Sequence, residues 1–119
     1  MNPDELQAGR ESDALVATHV FGYVTRSARL TNPHLTDDWS QREPDGGQTF
    51  VPPYSTEIAA AWEVVERLAS CQPRLARYVS PDKWWVRMNA CGSLATQVEG
   101  WADTAPLAIC RAALRAVGS

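Results

Sequence analysis

The 119-residue sequence predicts a single α+β domain, and three observations carry that prediction. Two stretches, 54–68 and 104–117, place apolar residues at helical spacing behind good N-terminal caps. Between them, 83–98 alternates with the period of a strand and turns at a glycine, the pattern of an antiparallel hairpin. The composition, 45% hydrophobic and 21% charged with a net charge of -3, fits a globular chain and excludes disordered, collagen-like and coiled-coil classes.

Residues 1–11 are polar, carry Pro3 and Gly9 and show no apolar period. They read as a flexible N-terminal extension, ordered only where a partner holds it, with the domain proper spanning 12–119. Leu15, Val16, Val20 and Val24 follow at helical spacing, and Gly22 stands where a helix stops in the left-handed conformation, so a first helix is expected over about 13–21. His19 falls inside it and takes no role, because a single histidine on a short helix is more often surface or core than ligand. Residues 23–31 predict one short strand.

The stretch 32–53 is rich in proline, contains the Gly46-Gly47 pair and several Asp and Ser residues, and reads as a long loop with a brief strand at Phe50-Val51. Long loops in small domains tend to carry function or to be disordered. Trp39 and Phe50 are its candidate anchors for a partner protein. His34, Asp37 and Asp38 lack ligand spacing, so no metal site is predicted.

Ser55 is the expected N-cap of the second helix, with Glu57 in the first turn where the helix dipole favours an anion. Ile58, Trp62, Val65 and Leu68 or Ala69 form its expected core face, and Glu63, Glu66 and Arg67 its solvated face. Those two carboxylates have no apolar setting of the kind acid–base catalysis needs. Pro73 closes the element.

In the hairpin, Trp84, Val86 and Met88 share one face, and Lys83, Trp85, Arg87 and Asn89 the other. A three-residue loop, 90–92, with Gly92 left-handed pairs Met88 with Leu94, Val86 with Thr96 and Trp84 with Val98. Trp85 and Arg87 then lie beside Ala95 and Gln97. The last helix starts at Thr104 as N-cap with Pro106 in its first turn, buries Ile109, Cys110, Ala113, Leu114 and Val117, and ends at Gly118. Arg111 and Arg115 lie off that stripe, four residues apart.

Charge and cysteine usage narrow the partners. A net charge of -3 argues against holding duplex nucleic acid through phosphates, and Lys83 is the sole lysine, so a bound anion meets mainly guanidinium groups. No apolar run approaches the roughly 20 residues that a membrane span requires. The acidic, polar start is unlike a signal peptide, which predicts a cytoplasmic protein. Three cysteines, at positions 71, 91 and 110, are odd in number and far apart, so they are expected to be reduced.

Three stretches resemble the phage ABA sandwich domain family: DALVATHVFGY at 13–23, YSTEIAAAWEVVERL at 54–68 and ADTAPLAICRAALRAV at 102–117. The resemblance implies a three-layer α-β-α type sandwich with a small, mainly antiparallel sheet and about three helices, encoded in phages and prophages and working in the bacterial host cell. It brings no reaction, cofactor or catalytic residue. Residues 1–11 and 32–53 depart from the family pattern and gain nothing from it.

No nucleophile elbow, phosphate-cradling glycine loop or metalloprotease spacing occurs, so a binding protein is expected in place of an enzyme. Its first form is a homo-oligomeric sponge that sequesters a nucleotide second messenger of antiphage defence, a cyclic nucleotide or an ADP-ribose-type ligand. Trp85, Arg87, Gln97, Arg111 and Arg115 are the candidate ligand residues, with a base stacking on Trp85 and a phosphate on Arg87. Its second form is a protein-interaction module that binds a host or phage protein through Trp39 and Phe50 or an exposed strand edge. Five tryptophans and an under-covered face of a small sheet favour self-association in either case.

Overall fold

The structure, a computed structural model, describes residues 3–27, 39–42, 48–78, 83–92 and 95–118. Its elements in chain order are a 3-10 turn at Pro3–Glu5, α1 (Arg10–His19), β1 (Val24–Ser27), β2 (Trp39–Arg42), β3 (Gln48–Phe50), α2 (Ile58–Arg67), a 3-10 turn at Ala69–Cys71, β4 (Arg74–Tyr78), β5 (Lys83–Asn89), β6 (Gln97–Ala102) and α3 (Ala105–Ala116). Two antiparallel sheets form, ordered β1-β2-β3 and β4-β5-β6. The α+β class stands, and the fold is built around α3.

Apart from Arg111 and Arg115, every residue of α3 is buried. A helix apolar on all sides must be covered on all sides. β5 and β6 cover it on one side, and α2 and α1 cover it elsewhere. Thr104 sits at the N-cap in an extended conformation, Pro106 lies in the first turn, and Gly118 follows the helix at φ +81, all as the sequence predicts. Gly100 on β6 lets the sheet approach. A Cβ there would stand 2.4 Å from the carbonyl oxygen of Ala108 and 2.5 Å from the backbone nitrogen of Ala112.

The helix α1 begins three residues before the expected start because Asp13, wholly buried, lies inside it. Its Oδ1 accepts from the Ser55 backbone N–H at 2.7 Å and the Ser55 hydroxyl at 2.6 Å, and its Oδ2 accepts from Arg10 Nη1 at 3.0 Å. Ser55 is therefore the anchor between α1 and the approach to α2. It is not the N-cap, a position held by Glu57.

The expected core face of α2 is corrected. Ala60, Ala61, Val64 and Leu68 are buried, while Ile58 is 51% and Trp62 48% exposed. Small alanines let α2 close on an α3 that presents alanines of its own, and a tryptophan in that seam would hold the helices apart. The hairpin register is corrected too. Met88 pairs with Val98, Val86 with Gly100 and Trp84 with Ala102, four residues further along the second strand than the three-residue loop implies. An even shift preserves which face each side chain takes, so Val86 and Met88 are buried as expected. Gly92 is left-handed at φ +82 within the longer turn.

Three further features differ from the sequence reading. The stretch read as a long loop with a brief strand at Phe50-Val51 contains two strands, β3, which takes in Phe50, and β2, which pairs with both β1 and β3. β4, unpredicted, pairs with β5 as an edge strand whose residues are mostly exposed. Within the N-terminal segment, the Leu6 carbonyl accepts from Arg111 Nε and Nη2 of the last helix at 3.1 and 2.6 Å. Among the described residues no helix is long and apolar enough to cross a membrane.

Candidate functional site

Side chains on a strand alternate between its two faces, so seating Val86, Met88, Gly100 and Ala102 against α3 turns Trp85, Arg87, Glu99 and Trp101 to the opposite face. Register sets Trp85 beside Trp101 and Arg87 beside Glu99. From β4, Tyr78 leans over both tryptophans, with ring centroids 5.3 Å from Trp101 and 6.1 Å from Trp85. The two indoles are 6.4 Å apart. The row is open to solvent, with Tyr78 42% and Trp101 37% exposed.

Charge on this face is locally balanced. Arg87 lies 4.9 Å over the Trp85 ring and donates to Glu99 Oε1 from Nη2 at 2.8 Å and Nε at 3.2 Å. The Arg87 guanidinium holds the Glu99 carboxyl below the usual carboxylate range, and the indole N–H groups of Trp101 and Trp85 act in the same direction. At the other end of the row Lys83 pairs with Asp103 and lowers that carboxyl. Arg87 thus braces an indole and a carboxylate.

At the edge of the sheet, Arg111 reaches from α3 around β6 and donates from Nη1 to the Trp101 carbonyl at 2.6 Å while its other side holds the Leu6 carbonyl. Its guanidinium is fixed in place, a cation with little rotamer freedom left to lose on meeting an anion. Lys83, Trp101, Ala102 and Arg111 line an open depression of about 310 Å³. A larger depression of about 440 Å³, between Glu5 and Leu15, is lined by the N-terminal segment and the first turns of α1, away from the aromatic row.

The structure brings Trp85 and Arg87 together and sets Gln97, exposed and opposite Asn89, at the far end of their face. Arg111 joins this surface at the sheet edge, and Arg115 lies one turn further along α3. Trp39 opens β2 opposite Ser27, and Phe50 closes β3 opposite Ser40, in the other sheet. Their side chains lie outside the described residues. Tyr78, Lys83, Glu99 and Trp101 were missed by sequence reasoning. Continuing the alternation past Val98 would have found two of them, since Gln97, Glu99 and Trp101 share a parity; Gly100 interrupts the apolar pattern there.

The family model described as the phage ABA sandwich domain matches residues 14–114. A solved structure, that of a phage protein from Bacillus cereus ATCC 14579 at 2.0 Å, superposes with a TM-score of 0.71 at 27% sequence identity, covering 100% of this chain and 90% of that one. No curated protein matches the chain.

Proposed function

Because the chain belongs to the phage ABA sandwich domain family, we propose that it is a phage-encoded, non-enzymatic binding protein, a homo-oligomeric sponge for a nucleotide second messenger of antiphage defence. One observation carries the reading: Trp101 belongs both to the aromatic row and to the depression lined by Lys83 and Arg111. A base stacked on that row has its phosphate within reach of two cations. The phosphate partners are thereby Lys83 and Arg111, while Arg87 stiffens the platform and Glu99 accepts from a base N–H edge.

Self-association is supported by Ile58 and Trp62, one helical turn apart and each about half exposed on the outer side of α2.

Native mass spectrometry of the protein with cyclic oligonucleotides and cyclic ADP-ribose isomers tests this. Discrete ligand-bound peaks on a defined oligomer, with the ligand recovered unchanged, are expected. Turnover of the ligand, or indifference to the whole panel, would overturn the reading. The second reading, capture of a host or phage protein, is favoured by β3, which ends at Phe50 and is last in its sheet among the described residues, the position at which strand addition occurs. Under that reading Trp39→Ala weakens a pull-down and the nucleotide panel stays unbound.

A further inference from the structure

The cysteines at 71 and 91, distant in sequence, meet in the fold. Cys71 ends the 3-10 turn that follows α2 and is buried; Cys91 lies in the β5–β6 turn and is exposed. Their sulfurs are 3.2 Å apart. Both backbones are anchored, Cys71 by its N–H to the Leu68 carbonyl at 2.9 Å and Cys91 by its N–H to the Ala116 carbonyl at 2.7 Å. A disulfide bond is about 2.0 Å long, so the two sulfurs must approach by about 1 Å to bond. Cys110, wholly buried in α3, is the third thiol.

We propose that Cys71 and Cys91 form a dithiol site that closes to an intramolecular disulfide with a low-molecular-weight disulfide as oxidant. The exposed Cys91, as thiolate, attacks one sulfur of the oxidant R–S–S–R, and the leaving R–S⁻ takes up a proton. Cys71 then loses its proton and attacks Cys91 Sγ in the mixed disulfide, expelling the second R–S⁻. Two protein thiols have been oxidised by two electrons and one oxidant disulfide reduced to two R–SH. The new bond fastens the end of α2 to the β5–β6 turn, which the Cys91 N–H already ties to the last turn of α3. The opposite end of β5 and β6, where the aromatic row meets Lys83, is left untouched.

The test is incubation of the folded full chain with glutathione disulfide at alkaline pH, where Cys91 ionises, followed by thiol titration in denaturant and non-reducing peptide mapping. Titratable thiols should fall from three to one, with a 71–91 link within one chain, Cys110 free, and the urea midpoint raised until a reductant is added. Cys71→Ser should instead hold glutathione on Cys91 as a lasting mixed disulfide, and Cys91→Ser, at an exposed position, should keep both remaining thiols. The proposal is overturned if wild type retains three thiols, links through Cys110 or between chains, or carries glutathione on Cys91 as stably as Cys71→Ser does. None of these readouts depends on nucleotide binding.

Discussion

Replacing Gly100 by alanine adds one methyl group at the closest approach between sheet and helix. Gly100 has ordinary strand geometry, so the substitution relieves backbone entropy and by propensity alone should stabilise by roughly 0.5 kcal/mol. Sterics oppose this. The new Cβ would lie 2.4 Å from the Ala108 oxygen, 2.5 Å from the Ala112 nitrogen and 3.0 Å from the Ala112 Cβ. Two of the three are backbone atoms of a helix and cannot swing away, so α3 must retreat from β6 and loosen its contacts with both β5 and β6. Overpacking a tight core costs about 1–3 kcal/mol, and a rigid obstacle places this variant at the upper end. The expected loss is about 3 kcal/mol, or about 10 °C in Tm. Urea titration by tryptophan fluorescence and thermal melts by circular dichroism both report it. A G100A protein as stable as wild type would refute the packing of α3 on the sheet.

Asp13→Ala leaves the buried Ser55 N–H without its acceptor and removes one of the partners of Arg10, while the Ser55 hydroxyl keeps the Gly9 carbonyl at 3.1 Å; a loss of about 1–3 kcal/mol is expected in urea titration. Cys91, with its thiol pushed up to about 11 by partial desolvation and then by the Cys71 hydrogen bond, stays protonated at pH 8, so its alkylation by iodoacetamide should trail an ordinary thiol there and accelerate as pH rises towards 11. The sign follows from the raised value: the folded state favours the protonated thiol, and the stability this brings is present below the ordinary thiol range and lost above it. Trp62→Ser should lower the oligomeric state in size-exclusion chromatography while changing the urea midpoint little, since its side chain is half in solvent already.

Signals that act locally were legible in the sequence. The limits of α3 follow from Thr104, Pro106 and Gly118, the left-handed turn at Gly92 from its glycine, and the two faces of β5 from alternation alone. Signals set by a distant neighbour were not. Tryptophan and isoleucine at helical spacing look like core, but α2 meets an alanine-lined α3, so its alanines go inward and Ile58 and Trp62 outward. The hairpin register depends on where α3 finds a glycine to rest on, and the buried role of Asp13 depends on Ser55, 42 positions away. At the candidate site, Trp85 and Arg87 were found as a pair; alternation alone puts Trp101 and Glu99 on their face, and only the true register sets them side by side. Arg111 was singled out for charge, and the structure gives it a carbonyl on each side.

Trp101 and the two cations beside it, Lys83 and Arg111, are the proposed nucleotide site. The most direct test titrates wild type, Trp101→Ala and Lys83→Ala with whichever cyclic nucleotide or ADP-ribose isomer the wild type retains, using calorimetry. Loss of a stacking surface or of a phosphate cation should weaken binding about tenfold or more in each variant, with the urea midpoint nearly unchanged. Wild-type affinity in both variants would contradict the account.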